Sequence, residues 1–423
     1  MKLAVVCTYA PDSGQGVVGS CSRLVRGLAE AGHAVHVISK APANDEERTI
    51  RQGELTIHEI RAAGGRVPGL WRLQSWLEGV VPLFRLRYSW RVRQVLLALI
   101  ETEGVEVVMS PEWNAEAFWF AWRRPPVPLV VSVHGGTWVL RRFDGQRSLA
   151  TWILDLMERA LVRRADGRVA VSRMMARGAS QRYGVPVRAF DIIHNGTELP
   201  AAKQAEGASE AQPSAPRILY VGRLERLKGL RILARALSIV VQYVPDVQID
   251  LVGEDRPWNG SFEMTSEYLK RVLSPGLWSR IHLHGPVPRS ELTNRYRQST
   301  VCVFPSLFES FGNVIAEAMA AGCAVVTTTR TGIAELIEHG RDGWLVPPEH
   351  HLALAEALVV LLSHHDLRRQ MARYARGKVE RSVPPSEWVS RYVRVLEGAT
   401  QAVGRAHPRA ARTIRPAIAG PRS

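Results

Sequence analysis

FPSLFESFGNVIAEAMAAG, residues Phe304–Gly322, predicts within one short span the end of a buried strand, a loop and a new helix. The loop carries Glu309, the helix begins near Gly312, and Gly322 lies where a helix C-terminus favours glycine. In a parallel α/β sheet, such a loop lies at the carboxyl edge of the strands, where ligands bind. We therefore expect a ligand site at this loop.

The start of this helix offers groups that suit a nucleotide. The backbone amides of Gly312, Asn313 and Val314 would be free donors, which makes the helix N-terminus an anion site. Glu317 lies one turn further on, where a carboxylate can accept hydrogen bonds from two adjacent ribose hydroxyls. Glu309 precedes the helix and can face a group attached beyond the phosphates. Taken singly, a solvated Glu309 and a helix-capping Glu317 remain the alternatives.

A basic turn follows the first predicted strand of the second half, in Val221–Gly229 (VGRLERLKG). Arg223 and Lys228 are five positions apart across this strand-to-helix turn, so both can point at one anion. Arginine can bind a diphosphate through two parallel hydrogen bonds. Alone, the turn would be interpreted as a basic, solvated one, but the two glutamates favour a diphosphate site.

Strand and helix patterns alternate on both sides of the Ala- and Pro-rich segment LPAAKQAEGASEAQPSAP, residues 199–216. This alternation predicts parallel sheets covered by helices on both faces. We expect an α/β protein with two doubly wound domains, residues 1–198 and 217–380, joined by a linker at 199–216. Residues 400–423 contain arginines and no acidic residue, and predict a flexible basic tail.

The composition is that of a globular protein with an excess of positive charge. The chain has 423 residues, 46% of them hydrophobic and 22% charged, with a net charge of +15. These values exclude wholesale disorder, and the charge favours phosphates, anionic lipids or nucleic acid as partners. The four scattered cysteines lack metal-ligand spacing, so we expect no disulfide or zinc site and a reducing, cytoplasmic setting. The chain start does not resemble a signal peptide, and no apolar run is long enough to span a membrane.

The spacing of Glu309 and Glu317, with the Arg223…Lys228 turn before them, resembles the signature of the GT4 family of retaining glycosyltransferases. The resemblance covers residues 1–397 and is densest in the second half. Further matching segments are ADGRVAVS at Ala165–Ser172, IHNG at Ile193–Gly196, and the segment that begins with GIAELI at Gly332 and extends to Asp342-Gly343.

The resemblance implies a GT-B fold, in which two Rossmann-like domains face each other across a cleft and residues 381–399 cross back to the first domain. It implies a UDP-, GDP- or ADP-sugar in the second domain, with Arg223 and Lys228 on the diphosphate, Glu317 on the ribose and Glu309 on the donor sugar. The implied reaction transfers a hexose-type sugar with retention of configuration. Neither a metal nor another cofactor is expected, because the cations and helix amides would meet the charge of the leaving diphosphate.

The acceptor implied by the resemblance is a glycan or a lipid-linked intermediate of cell-envelope or exopolysaccharide synthesis. Nucleic acid is not an expected partner. Two other classes of function stay open. One is a nucleotide-sugar epimerase or a phosphorylase of the same fold, although we find no context for a phosphorylase's cofactor lysine. The other is a basic protein that binds nucleic acid or an anionic surface without catalysis.

The first half contributes weaker signals. GQGVVG at Gly14–Gly19 matches a dinucleotide fingerprint, but the second strand ends in Ser39-Lys40 without the acidic residue that NAD requires. Under the resemblance, Gly14 or Gly16 lets the backbone approach the donor phosphates or the acceptor. His134 ends a predicted strand, where family members often have a histidine near the transferred sugar.

Glu112 also ends a predicted strand and is a tentative contact for the acceptor. A histidine satisfied within its loop, and a glutamate with a structural role, are the alternatives for His134 and Glu112.

Arginines and tryptophans are interspersed in Arg66–Arg93 (RVPGLWRLQSWLEGVVPLFRLRYSWRVR). Such a helical segment suits a membrane interface or an anionic acceptor. We therefore expect peripheral binding to the inner face of the plasma membrane. The alternative is that the tryptophans pack in the core and the arginines are only solvated.

Overall fold

The computed structural model describes residues 1–10, 16–42, 46–61, 82–123, 125–143, 148–198, 215–258 and 262–406. In these ranges the strands are β1 Lys2–Val6, β2 Ala34–Lys40, β3 Arg48–Gln52, β4 Leu55–Ile60, β5 Val107–Pro111, β6 Leu129–Val133, β7 Gly167–Ala170, β8 Asp191–Ile192, β9 Arg217–Val221, β10 Gln248–Val252, β11 Ile281–Gly285, β12 Val301–Phe304, β13 Val325–Thr328 and β14 Trp344–Val346. The α-helices are α1 Gly16–Glu30, α2 Leu83–Thr102, α3 Phe118–Trp122, α4 Thr137–Phe143, α5 Leu149–Arg164, α6 Arg173–Tyr183, α7 Leu230–Tyr243, α8 Thr265–Val272, α9 Pro275–Trp278, α10 Arg289–Gln298, α11 Asn313–Ala320, α12 His351–Ser363, α13 His365–Ser382 and α14 Pro385–Ala406.

The strands form two sheets. The first has the order β3-β4-β2-β1-β5-β6-β7-β8 and the second the order β11-β10-β9-β12-β13-β14. Every pairing is parallel except that of β3 with β4. The predicted class, α/β with two parallel-sheet domains, is therefore confirmed.

The central strands were predictable because all of their side chains are buried. Strand β6 (LVVSV) is buried at every position, as is typical of a strand covered by helices on both faces. The sequence analysis missed β3, β4 and β14. Strand β3 (RTIRQ) is polar and mostly exposed at the edge of its sheet, so it has no continuous apolar run. Strand β14 (WLV) is apolar, but its three residues are too few to distinguish a strand from other short apolar segments.

Helix α1 begins at Gly16, within the GQGVVG segment. Ser20 Oγ donates to the carbonyl of Gly16 at 3.1 Å, and Gly16 itself has φ +62°. The glycine-rich segment therefore runs directly into the helix, and Gly16 is the first residue of α1. Gly14 lies outside the described residues, as does the expected linker apart from residues 215 and 216.

The C-terminal helices differ from the expected boundaries. Helix α13 continues through Ser382 and α14 begins at Pro385, because consecutive prolines cannot continue a helix but suit the first turn of a new one. Helix α14 packs against α1 and strands β5 to β7 of the first sheet, where Trp388 lies close against Gly196. It runs to Ala406, so the expected tail does not begin at residue 400. Residues 407–423 lie outside the described part.

Candidate active site

The basic turn and the Glu309 loop meet because their strands are neighbours. Strands β9 and β12 pair in parallel, so the segments that follow them leave the same edge of the second sheet. The amide of Leu307 donates to the carbonyl of Leu227 at 2.9 Å. Gly229 has φ +77°, and a Cβ there would lie 1.8 Å from the carbonyl oxygen of Pro305. Only glycine permits this approach, which brings the turn against the loop.

Lys228 and Glu309 form an ion pair between Nζ and Oε2. Their side chains are 16% and 20% exposed, so the pair is accessible to solvent but partly desolvated. Arg223 does not join the pair. Its guanidinium lies 3.0 Å from the Glu225 carboxylate and its side chain is 46% exposed. The structure thus brings together two of the three charged residues expected on the donor diphosphate and sugar.

Helix α11 begins immediately after this loop. Gly312 is its N-cap with φ +103°, a conformation that favours glycine. The first amides of an α-helix have no acceptor within the helix, so those of Asn313 and Val314 are available to an anion. The Asn313 side chain has a different role from the one expected of its backbone. Its Nδ2 donates to Ser20 Oγ at 2.8 Å and its Oδ1 accepts from Asn195 Nδ2 at 2.9 Å.

Glu317 lies one turn into α11 and is engaged by an arginine that the sequence analysis did not single out. Arg289 Nη2 lies 3.3 Å from Glu317 Oε1, and Arg289 Nη1 lies 3.3 Å from Glu198. Burial raises the pKa of Glu317, while the positive charges of Arg289 and Arg23 oppose that shift. Arg23, on α1, is itself buried, and its Nε and Nη1 have no hydrogen-bond partner within the described residues.

The other motif segments hold the two domains together. Glu335 accepts from the amide of Arg173 at 3.0 Å through each carboxylate oxygen and also contacts His194 Nε2. Ser172 Oγ donates to the carbonyl of Ser310 at 2.8 Å, one residue after Glu309. These contacts place the end of the first sheet against the Glu309 loop.

His134 lies at the end of β6, in the turn that precedes α4. It is 7% exposed, its Nε2 lies 3.1 Å from Ser132 Oγ, and burial lowers its pKa to about 4. The imidazole is therefore neutral at physiological pH and can exchange hydrogen bonds without carrying charge.

Glu112 does not have the position expected of an acceptor contact. The residue has no exposed surface, and its carboxylate accepts from the amide of His134 at 2.9 Å and from that of Gly135 at 2.7 Å. Burial raises its pKa to about 7, and these amide bonds oppose the shift. The structure thus gives Glu112 a supporting position: its carboxylate holds the turn that carries His134 and has no exposed surface with which to contact an acceptor.

Gly16 is exposed, and a Cβ there would meet nothing within 4 Å. Nothing in the described residues places it in contact with the Lys228–Glu309 pair. Within the described ranges, no group of three or more His, Cys, Asp or Glu side chains is arranged to hold a metal ion. In the same ranges, no helix is both long enough and apolar enough to cross a membrane.

Several residues that form these contacts were not singled out in the sequence, namely Ser20, Arg23, Asn195, Arg289 and Glu335. Glu158, which accepts from the amide of Thr137 in the turn after His134, is another. Asn195 and Glu335 stand in segments that matched the family, which was their only signal. Arg23 and Glu158 lie on amphipathic helices, where a buried charge cannot be distinguished from a solvated one by spacing alone.

Comparison with known proteins agrees with this architecture. Residues 15–196 match the family model described as "Glycosyl transferase 4-like domain", and residues 215–364 match "Glycosyl transferases group 1". The D-inositol 3-phosphate glycosyltransferase of Thermobispora bispora is 29% identical over 403 residues, which cover 91% of this chain and 89% of that protein. The phosphatidyl-myo-inositol mannosyltransferase of Mycobacterium leprae is 27% identical over 94% of this chain and 96% of its own.

Solved structures share the fold at low sequence identity. Sucrose-phosphate synthase from Thermosynechococcus elongatus superposes with a TM-score of 0.76 at 19% identity, covering 95% of this chain and 99% of that one. The Anabaena protein HepE, solved with UDP and glucose, gives 0.66 at 17% identity, with coverage of 94% and 99%. The chain belongs to the GT4-like family of glycosyltransferases and has the GT-B fold.

Proposed function

We propose that this glycosyltransferase moves a hexose-type sugar from a nucleoside diphosphate sugar to an acceptor hydroxyl, with retention of configuration and without a bound metal. The observation that carries the proposal is the Lys228–Glu309 pair beside the first amides of α11, with Glu317 one turn further along the same helix. Helix amides and a lysine suit a diphosphate, and a carboxylate suits the two hydroxyls of a ribose.

The leaving group sets the chemistry that these residues must supply. When the bond between the sugar and the diphosphate breaks, negative charge develops on the diphosphate. Lys228, Arg223 and the amides of Asn313 and Val314 stabilise that charge, which lowers the barrier to departure. The acceptor hydroxyl attacks the same face of the sugar and gives its proton to a diphosphate oxygen. Glu309 positions the sugar and supports the positive charge that develops on it.

The names of the relatives and the ligands of one solved structure support our choice of donor and acceptor. UDP is the first nucleotide to test, beside GDP and ADP, because HepE was solved with UDP and glucose. The names of two relatives include inositol phosphate and phosphatidyl-myo-inositol. We therefore propose a polyol or glycan hydroxyl on a phosphorylated or lipid-linked acceptor of cell-envelope synthesis.

Ligand-dependent stabilisation followed by turnover tests the proposal. One nucleoside diphosphate should raise the Tm of the wild type by mass action and have little effect on the Glu317→Gln variant. Glu338→Gln, an exposed carboxylate of the same domain, is the matched control. The corresponding nucleotide sugar should then release nucleoside diphosphate only when an acceptor is added. Conversion of the sugar without an acceptor would identify an epimerase, and RNA binding without nucleotide binding would overturn the proposal.

An exposed surface of the first domain supports the lipid-linked class of acceptor. Helices α2, α3 and α5 pack side by side and expose Trp90, Trp122 and Trp152, which are 39%, 47% and 46% accessible. Arg93 lies 5.4 Å from the ring of Trp90, and Arg164 lies 4.1 Å from that of Trp122. Indole rings beside arginines suit the headgroup region of an anionic membrane. Residues 66–81 of the expected membrane segment lie outside the described residues.

Vesicle sedimentation tests this surface. Vesicles that contain phosphatidylglycerol should bind the protein, and Trp122→Ser combined with Arg164→Ser should weaken that binding. The control is Tyr374→Ser with Arg341→Ser, because this pair forms the same kind of contact, at 4.9 Å, on the second domain. Equal binding of both double variants would remove the membrane surface from the account.

A further inference from the structure

A second buried carboxylate lies beside Glu112, and the two hold opposite ends of one short turn. Glu158, on α5, has no exposed surface. It accepts from the amide of Thr137 at 2.7 Å and from the Thr137 hydroxyl at 2.8 Å. Glu112 accepts from His134 and Gly135 at the other end. Three of the four amides in residues 134–137 therefore donate to a buried carboxylate.

The packing around Gly136 leaves no room for a side chain. A Cβ on Gly136 would lie 2.4 Å from Glu158 Oε2 and 2.6 Å from the Tyr183 hydroxyl. Glu158 also accepts from the amide of Asn114, a residue with φ +67°. A non-glycine residue in this conformation is strained and persists only where its surroundings hold it. The hydrogen bond to Glu158 supplies part of that support.

The turn faces the catalytic loop of the other domain. Trp138 and Phe143 of α4 contact the ring of Phe308, with centroids 5.8 Å and 4.9 Å apart. Phe308 directly precedes Glu309 in the chain. A displacement of the turn would therefore reach both the His134 side chain and the Glu309 loop.

We propose that Glu112 and Glu158 are positioning residues for sugar transfer, which hold the His134–Thr137 turn against Phe308 and fix where His134 and Glu309 meet the donor sugar. This inference rests on the proposed transfer reaction. An ionised Glu112 offers both oxygens as acceptors to the two amides, whereas a protonated carboxyl has one oxygen that carries hydrogen and accepts less well.

The ionisation of the two carboxylates makes the proposal testable by pH. Burial raises the pKa of Glu112 to about 7 and, with the charge of Glu112, that of Glu158 to about 8. The charged and titratable groups that interact with them are each other, the Tyr183 phenol and, for Glu158, the Arg85 guanidinium. The amide bonds of His134 and Gly135 favour the ionised form of Glu112, so while Glu112 stays buried we expect the turn to be held most firmly once Glu112 is ionised.

Hydrogen exchange tests the positioning without any sugar transfer. In the wild type, protection of the Gly135 amide, corrected for intrinsic exchange, should increase from about pH 6 to about pH 8. The amide of Val171, which donates to the carbonyl of Val133, should show no such change. Protection of Gly135 that is constant with pH would overturn the proposal even if the protein proves to be an active transferase.

Steady-state kinetics test the consequence for the reaction. Glu112→Gln should lower kcat about tenfold, since misplaced reacting groups lose rate steeply, and should abolish the rise of kcat near pH 7. The dissociation constant for nucleoside diphosphate should stay unchanged, because its site lies in the other domain. Glu116→Gln is the control: burial raises the pKa of Glu116 to about 7 as well, but it forms no described hydrogen bond with the turn. A pH rise that survives in Glu112→Gln would refute the proposed role.

Discussion

The two sheets face each other with different chemistry at their carboxyl edges. At the second sheet, Lys228 and Glu309 form a partly exposed ion pair beside free helix amides. At the first sheet, Glu112 and Glu158 have no exposed surface and accept hydrogen bonds from the backbone amides of one turn and from the Thr137 hydroxyl. The second edge thus presents charged side chains to a ligand, whereas the first presents a shaped turn.

This difference explains why the site residues of the second domain are easier to recognise in the sequence than those of the first domain. A diphosphate needs cations and amides at fixed spacing, and those residue types can be recognised in the sequence. A turn held from below needs only a buried acceptor, which can come from any neighbouring helix. The two carboxylates that hold the turn, Glu112 and Glu158, are therefore free to lie 46 positions apart in the sequence.

The largest expected effect is on the charged edge. Lys228→Ala should lower kcat by about 10²- to 10³-fold, because it removes a preformed positive charge from the leaving diphosphate. Lys270→Ala, at an exposed position of α8, should leave kcat unchanged. Steady-state turnover of the nucleotide sugar measures both. Comparable rates for the two variants would mean that the second edge does not act on the diphosphate.

The next effect concerns the close contact of Gly229 with the Pro305 carbonyl, which brings the basic turn against the Glu309 loop. Gly229→Ala should lower the free energy of unfolding by about 3 kcal/mol, because its Cβ would collide with the Pro305 carbonyl as well as strain φ. Gly32→Ala has a similar φ of +83° and nothing within 4 Å, so it should cost only about 1 kcal/mol. Urea unfolding compares them, and equal losses would contradict the packing argument.

The fold class could be predicted from the central strands, and the pairing of β9 with β12 explains why Lys228 and Glu309 meet. What could not be predicted is the polar edge strand β3 and the contact of Arg289 with Glu317. A salt bridge between residues 28 positions apart depends on how α10 and α11 lie together, and local periodicity carries no information about that. The burial of the Arg23 guanidinium could not be predicted for the same reason.

A smaller effect distinguishes Glu317, which we propose binds the ribose, from Glu198. Glu317→Gln should weaken binding of the nucleoside diphosphate by about 10- to 150-fold, since charge-assisted hydrogen bonds contribute about 1.5–3 kcal/mol. Glu198→Gln removes only the exposed partner of Arg289 and should change the affinity less than about twofold. Isothermal titration calorimetry measures both affinities. A larger loss for Glu198→Gln would place the ribose elsewhere.

The last prediction tests the buried edge through the pH dependence of stability. The pKa of Glu158 is raised from 4.5 to about 8 by burial, so the folded state binds more protons than the unfolded state between these values. The contribution of Glu158 to the free energy of unfolding is fully present below about pH 4.5 and is lost as the pH rises towards 8. Glu158→Gln should therefore flatten the fall in unfolding free energy over this window. Denaturation series at several pH values check the slope, and an unchanged slope would show that Glu158 is ionised without cost.

A crystal structure of the protein with the nucleoside diphosphate that stabilises it tests the central claim most directly. We expect diphosphate oxygens within hydrogen-bond distance of the Asn313 and Val314 amides and of Lys228 Nζ, and ribose hydroxyls on Glu317 in place of Arg289. A nucleotide bound away from α11, with the Lys228–Glu309 and Arg289–Glu317 pairs both intact, would contradict the account.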